Sequence, residues 1–452
     1  MRLNNKLKIL PLAAIMLLTG CSTRVSVENL LTAPKLTAEQ SEIYRTLINS
    51  SGKGIKLKYP KSGEFRSAFV LQNIDDEPTD EALVFYEAQS VSSGESALRL
   101  KFLDKEDGEW QAVYDIACVG SEVESISFTT LGDSGLVDIL VNCSMLNQTE
   151  KAVSVLNYVD RQPVERYASS YSCMEVIDLN SDGLNELVIV NSDKVNGTAN
   201  AMMFANTHDG FVKLSEVPLD GTAADYVVTK GQLNEKITAL FLDYSRGNGQ
   251  YGTDVLYCYG NRLINPDEMI AGEGSSVISR VTNDYMKEIN CRDIDNDGFI
   301  EIPSTTPLPG YETLLRPEQL CAVKWFTVED NNFKQEYYSY FSSKYKFALL
   351  FQNRWCGFVT AVVNWQDNEI VFLNYDPASY DPMKGLEVNE ENELLRIRTI
   401  DKDDIQGLAA ARDMIPLGES EDSVYCYSVT TGYKNGQLAL TASELENCFI
   451  IL

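Results

Sequence analysis

Two stretches of this chain match position by position, and the way they continue limits what can be built around them. Residues 178–186 read Asp-Leu-Asn-Ser-Asp-Gly-Leu-Asn-Glu, and residues 293–301 read Asp-Ile-Asp-Asn-Asp-Gly-Phe-Ile-Glu. The first runs straight into Leu-Val-Ile-Val at 187–190, an apolar β-branched run that reads as a buried strand. Aligning the two exposes a unit of loop, apolar strand and strand–turn–strand hairpin. Unit one has residues 73–81, then Ala82 to Tyr86 and a turn at Lys105 to Gly108. Unit two has residues 131–138, then Ile139 to Val141 and a turn near Asp160. Unit three is the 178 loop, Leu187 to Val190 and a turn at His208 to Gly210. Unit four lacks the loop but keeps Thr238 to Leu242 and Val255 to Tyr259, turning at Gly260-Asn261. Unit five is the 293 loop, then Ala322 to Phe326 and a turn at Asp330 to Asn332. A repeat of about fifty residues made of short antiparallel strands predicts a mainly β fold, a β-propeller of about five or more blade-like repeats. The alternative is a β-sandwich whose turns happen to fall regularly.

Oxygen side chains at loop positions 1, 3, 5 and 9, with Gly at 6, suit a hard divalent cation, the Gly giving the positive-φ bend that wraps the ion. An EF-hand is excluded: its bidentate twelfth-position Glu is replaced by Ile189 and Ser304, and no helix follows the 178 loop. Units one and two depart from the pattern. Pro78 stands where Gly is needed, and unit two has Thr130, Gly132 and Ser134 at positions 1, 3 and 5, with only Asp138 charged. Tight calcium is expected at neither.

Arg2, Lys6 and Lys8 precede an apolar run from Ile9 to Leu18, too short for a stable membrane span. Leu18-Thr-Gly-Cys21 then resembles a bacterial lipobox, which implies cleavage before Cys21 and lipid on that residue. An ordinary secretory signal with an incidental Cys is the alternative. The expectation is a signal peptide over 1–20 and a lipidated tether over 21–36. The protein would be held at the cell membrane on its extracytoplasmic side, with the membrane as a partner through Cys21. The net charge of −28 becomes −31 once residues 1–20 are removed, a surface that repels phosphate backbones and excludes nucleic acid as a partner. Nine Cys remain besides Cys21, an odd number without a CxxC spacing, and no pairing follows from it.

Thr37 to Gln40 reads as a capping box opening a helix from Ala38 to about Asn49. The propeller with this helix is expected over 37–343. After Tyr345 the repeat fades into strands at Phe358 to Val363, Ile370 to Tyr375 and Leu394 to Ile400, with a helix over Asp403 to Asp413. That order suggests a small α+β C-terminal domain over 344–452.

The one His, His208, sits in a turn, so a Ser-His-Asp triad or a His-rich zinc site has nothing else to build on. Gly247-Asn-Gly249-Gln-Tyr-Gly252 matches GxGxxG, but strand residues follow it where a dinucleotide site needs a helix. The aromatics Tyr337, Tyr338, Tyr340 and Phe341, with Tyr345 and Trp355 nearby, read as core packing rather than a sugar-stacking platform.

The two intact loops, set ahead of strands, resemble the FG-GAP/VCBS-type calcium-blade propellers, the repeat also found in integrin heads. With the lipobox, Leu57 to Gly63 and the α+β tail, the chain resembles uncharacterised surface lipoproteins of clostridia-like bacteria. The resemblance implies Ca²⁺ held by Asp178, Asn180, Asp182, Glu186 and the Leu184 carbonyl. In the second loop it implies Asp293, Asp295, Asp297, Glu301 and the Phe299 carbonyl. A structural role for the ion is favoured over presenting it to a ligand. The expected function is a non-catalytic, calcium-stabilised β-propeller lipoprotein that binds a protein or glycan, with no catalytic or cofactor-binding residue. The alternative is an extracellular carbohydrate-active enzyme using an Asp/Glu pair in the propeller cleft. An envelope assembly factor is a third reading.

Overall fold

A computed structural model describes residues 36–75, 77–89, 96–145, 150–247, 249–266, 282–283, 289–329, 332–378, 380, 385–430 and 436–452. The expected signal peptide, Cys21 and all but the last residue of the tether lie outside the described residues, as do Asp330 and Asn331 of the fifth hairpin turn.

The chain is mainly β, laid down as six antiparallel sheets in order along the sequence. The first comprises Lys56–Leu57, Phe69–Gln72, Glu81–Glu87, Leu98–Glu106 and Glu109–Ala117. The second and third are four-stranded meanders: Glu122–Thr129, Asp138–Ser144, Lys151–Val159 and Gln162–Tyr171, then Cys173–Ile177, Glu186–Asp193, Thr198–Thr207 and Gly210–Leu219. The fourth holds Ala224–Asn234, Ile237–Gly247, Gln250–Tyr259 and Arg262–Ile264, with Thr282–Asn283 beside Gln250–Tyr259. The fifth runs Ile302–Pro307, Cys321–Glu329, Asn332–Ser342, Phe347–Leu350 and then Phe449–Ile451. The sixth is ordered Val359–Asn364, Glu369–Asn374, Glu393–Asp401, Ser423–Ser428, Ile415–Glu419.

The apolar runs become second strands of these sheets because both of their faces are covered. In Glu81–Glu87, Leu83 and Phe85 pack with Ile139 and Val141 of the second sheet, while Ala82, Val84 and Tyr86 pack under the helix Ala38–Ser51. Leu140 faces the other way, onto Leu187 and Ile189 of the third sheet. Val188 and Val190 meet Leu240 and Leu242, and Phe241 meets Ile302. Period-two alternation thus gives each sheet a contact with the one before and the one after. Trp325, from the fifth sheet, shares the last junction with Phe372 and Leu395 of the sixth. Among the described residues no apolar cluster joins the sixth sheet to the first, so the sheets form a series and the expected ring closure is not part of it.

Helix Ala38–Ser51 begins at the expected capping box, Thr37 with Gln40, and buries Ile43 and Leu47. The expected helix over Asp403 to Asp413 is shorter, Ile405–Ala410. The division expected near residue 343 runs between Asn332–Ser342 and Phe347–Leu350, which pair in one sheet. Among the described residues no helix is long and apolar enough to cross a membrane.

Candidate functional site

The 178 loop joins the first two strands of the third sheet and the 293 loop leads into the fifth, and they have the same internal wiring. In the first, the Asp178 carboxylate accepts from the amides of Asp182 (3.2 Å) and Gly183 (2.9 Å). Asn180 Oδ1 accepts from Asp182 N–H at 2.9 Å, and Asp182 Oδ1 accepts from Leu184 N–H at 2.9 Å. In the second, Asp293 accepts from Asp297 (3.1 Å) and Gly298 (2.9 Å), Asp295 from Asp297 (3.2 Å), and Asp297 from Phe299 (2.8 Å). Inward-pointing amides hold the side-chain oxygens on the inside of each bend. Gly183 (φ 88°) and Gly298 (φ 94°) make the expected left-handed step. Ser181 and Asn296, both at φ 62°, make a second one that the sequence reading did not single out.

One carboxylate oxygen from each of Asp293, Asp295 and Asp297 lies within 4.8 Å of the others. Among the described residues no Lys or Arg forms an ion pair with any of the three. Three like charges so placed oppose one another unless a cation joins them, so the donor set fits a hard divalent ion. The 178 loop is weaker in charge, with Asn180 replacing one carboxylate. Each loop also touches a neighbour. Asn180 Nδ2 donates to Asn261 in the fourth sheet's hairpin turn at 3.1 Å, and Tyr337 Oη donates to Asp295 at 2.6 Å. Tyr337 had been read as packing only. Backbone bridges Leu131↔Asn185 and Gln232↔Phe299 place both loops at junctions between sheets.

The ninth-position acids have a role of their own. Glu186 and Glu301 are both 1% exposed and accept the amides of Leu179 (3.0 Å) and Ile294 (2.9 Å), seven residues back. Glu81 and Asp138, in the units that lost the pattern, do the same for Ile74 and Leu131 at 2.8 Å each. Burial pushes Glu186 up to about 7 and Glu301 up to about 8. The position-nine carboxylate therefore closes its loop in all four units, whether or not the other ligand positions survive.

A different part of the molecule gathers acid and hydroxyl groups in a cleft. At the end of the fourth sheet, Asp225, Val227, Asp243, Tyr244, Ser245, Tyr251, Thr253, Asn290 and Pro303 line a cleft of about 120 Å³. The pairing of Ala224–Asn234 with Ile237–Gly247 slips between Ala224 and Val227, and Asp225 there has φ 53°. Bulges of this kind re-aim side chains beside binding sites. Asp225 is exposed, whereas Asp243 is 7% exposed and accepts from the Cys291 amide (2.8 Å) and from the Thr253 hydroxyl. Burial raises the Asp243 carboxyl above its ordinary range, and these donors oppose the rise. Next to it Asp220 holds Arg246 at 3.0 Å and the Tyr244 hydroxyl at 3.3 Å. Sequence reasoning missed this group because its members are scattered over three successive strands and a segment some forty residues on, and form no spaced motif.

Other expectations fall out simply. His208 is in the turn ahead of Gly210–Leu219, its side chain 76% exposed and 3.4 Å from Asp133. The GxGxxG run is a hairpin end continuing into strand Gln250–Tyr259, with Asn248 outside the described residues. Tyr340, Phe341 and Trp355 are buried in the core, as expected of packing aromatics.

No protein-family model matches the sequence, and no curated protein matches it. Among solved structures, a rhamnogalacturonan lyase of Bacillus licheniformis is 11% identical, with 87% of this chain and 95% of that one covered at a TM-score of 0.28. A periplasmic gluconolactonase of Pseudomonas aeruginosa is 14% identical over 75% of this chain and 87% of that one, at 0.22. An α-L-arabinofuranosidase from Fusarium graminearum is 10% identical over 71% and 92%, at 0.24. All three are enzymes by name, which is at odds with the expectation of a non-catalytic chain. Overlays this loose assign it no substrate.

Proposed function

We propose that this protein is an extracytoplasmic carbohydrate-active enzyme, acting on a neutral glycan in the cleft at the bulged end of the fourth sheet. The observation that carries the reading is the pairing, in one cleft, of a nearly buried acid with an exposed one, Asp243 and Asp225. Carboxyl groups in contrasting environments divide acid and base roles. Asp243, whose carboxyl burial holds above its ordinary range, is the donor to a leaving glycosidic oxygen. Asp225 takes the complementary role toward water or the sugar carbon. Ser245, Tyr251, Thr253 and Asn290 offer the hydrogen-bonding surface that a hydroxyl-rich ligand needs. The net charge of −28 favours a neutral glycan over an anionic one. The test is release of reducing sugar from a panel of neutral polysaccharides, with Asp225→Asn and Asp243→Asn beside the parent. Each substitution should lower the rate by about 100-fold or more with the thermal melt retained. A parent without activity on any of them, or variants as fast as the parent, would sink the proposal.

The sheets are read as propeller-type blades, and Ca²⁺ as the structural ion of both loops. Asp178, Asn180, Asp182, Glu186 and the Leu184 carbonyl would hold one ion. Asp293, Asp295, Asp297, Glu301 and the Phe299 carbonyl would hold the other. The ion would supply charge neutralisation at two sheet junctions rather than chemistry. Lipid on Cys21 is the proposed anchor, and Cys21→Ser should move the protein from the membrane fraction into the medium. A variant that stays membrane-bound would remove that part.

A further inference from the structure

We infer that Cys118 and Cys143 form a disulfide that staples the first sheet to the second. Both residues belong to the apolar cluster between those sheets, at 6% and 2% exposure, both are free thiols in this structure, and the neighbouring Cys143 side chain together with burial pushes the Cys118 thiol well above its ordinary range. Each is fixed by a different sheet. The Cys118 amide donates to Leu98 O at 2.9 Å, extending the first sheet, whereas Cys143 pairs with Val123 inside the second. The chain between them doubles back at Gly120 (φ 136°), where an added Cβ would lie 2.8 Å from both Cys143 Cβ and Ser144 O. Ser121 N–H then bonds Ser144 O at 2.9 Å. The segment carrying Cys118 is thus pressed against the strand carrying Cys143, and the approach is enforced by backbone rather than by the thiols themselves.

Four of the seven other described cysteines contact other groups. Cys258 lies 3.4 Å from the Met203 sulfur, Cys291 contacts Asp243, Cys356 contacts the Gln352 carbonyl and Cys448 contacts the Gln352 side chain. The odd count that blocked any pairing from sequence is explained if one pair bridges and the rest stay reduced. Bridge formation needs an external disulfide. One protein thiolate attacks it, releasing a thiol and leaving a mixed disulfide; the second thiolate then displaces the other thiol. The protein loses two protons and two electrons, and the external disulfide takes them up as two thiols. Since both sulfurs are buried in the folded chain, exchange belongs to the folding stage, before the two sheets close.

The experiment is to refold the full chain in a mixture of oxidised and reduced glutathione and digest it without reduction. A linked peptide pair joining Cys118 to Cys143, split by reductant, is the expected product. Reductant should then lower the melt of the parent by about 5 °C and leave that of Cys118→Ala/Cys143→Ala unmoved. Recovery of both cysteines singly alkylated after unfolding without reductant would overturn the inference, as would linkage of either to a different cysteine. The peptide map is read on the parent protein, so the result stands even if the double variant fails to fold.

Discussion

Glu81, Asp138 and Glu186 open the doubly covered second strands of the first three sheets, and Glu301 stands just before the edge strand Ile302–Pro307 of the fifth. Asp138 is the most connected: besides the Leu131 amide it accepts from Asn157 and Asn206, both at 2.7 Å. Asp138→Ala leaves three donors without that acceptor in a buried site, and a loss of about 3 kcal/mol is expected in the urea unfolding midpoint. A loss below about 1 kcal/mol would show that water takes the place of the carboxylate. Glu81 offers a pH test. Burial raises its pKa from 4.5 to about 7, so between those values the folded state binds the proton that the unfolded state releases. Its contribution is full below about pH 4.5 and is lost as pH rises through about 7, on the order of 2 kcal/mol. Glu81→Gln should flatten that part of the stability profile, and an unchanged slope would assign it to other groups. The position-nine acids show what a single chain's residues could reveal. Their spacing is visible in the sequence as a ligand position, whereas the amide each one caps carries no signature in the side-chain sequence.

At the scale of elements, the loops are where calcium would act. At about millimolar calcium and site dissociation constants of about 10–100 µM, mass action adds on the order of 1.5–2.7 kcal/mol per site. Calcium should therefore raise the thermal melt relative to chelator, with Asp182→Ala and Asp297→Ala each removing part of the rise. The Asp297→Ala loss should be larger, given the three clustered carboxylates of that loop. Identical melts with calcium and chelator would leave both loops as self-sufficient acidic turns. Strands were the most legible elements: the apolar runs read as strands fall on strands, two of them shifted by one residue (Phe358 and Tyr375 lie just outside), and the turns at Gly108, Asp160 and Gly260 fall where expected. Ile302–Pro307 escaped because its two prolines argue against a strand, yet it sits on a sheet edge, where a missing amide is tolerated. Ile415–Glu419 and Phe449–Ile451 escaped because they are short, and long-range partners rather than local pattern make them strands.

Over the whole molecule, among the described residues, each apolar cluster links a sheet only to its neighbours in sequence, with a helix covering the outer face of the first. A structure of this kind has stability that adds by unit and junction, so cooperation across the full length is weak. Two reporters test that: Trp110, under the helix, and Trp355, in the core of the fifth and sixth sheets. Variants keeping one or the other as the fluorescent residue should unfold at urea midpoints about 0.5 M or more apart, and coincident curves would mean a single cooperative body. The repeat was legible because each sheet is local in sequence, whereas the serial arrangement of apolar clusters among the described residues was not, since no local signal encodes which sheets meet. The fifth sheet is the exception to locality. Its strand Phe347–Leu350, buried along its length, is covered on its outer side by Phe449–Ile451, which arrives some hundred residues later. A chain halted anywhere in between would display Phe-Ala-Leu-Leu as a bare, apolar hydrogen-bonding edge. Copies lacking Phe449–Ile451 should therefore precipitate or be degraded, as sedimentation of a chain ending at Cys448 would reveal.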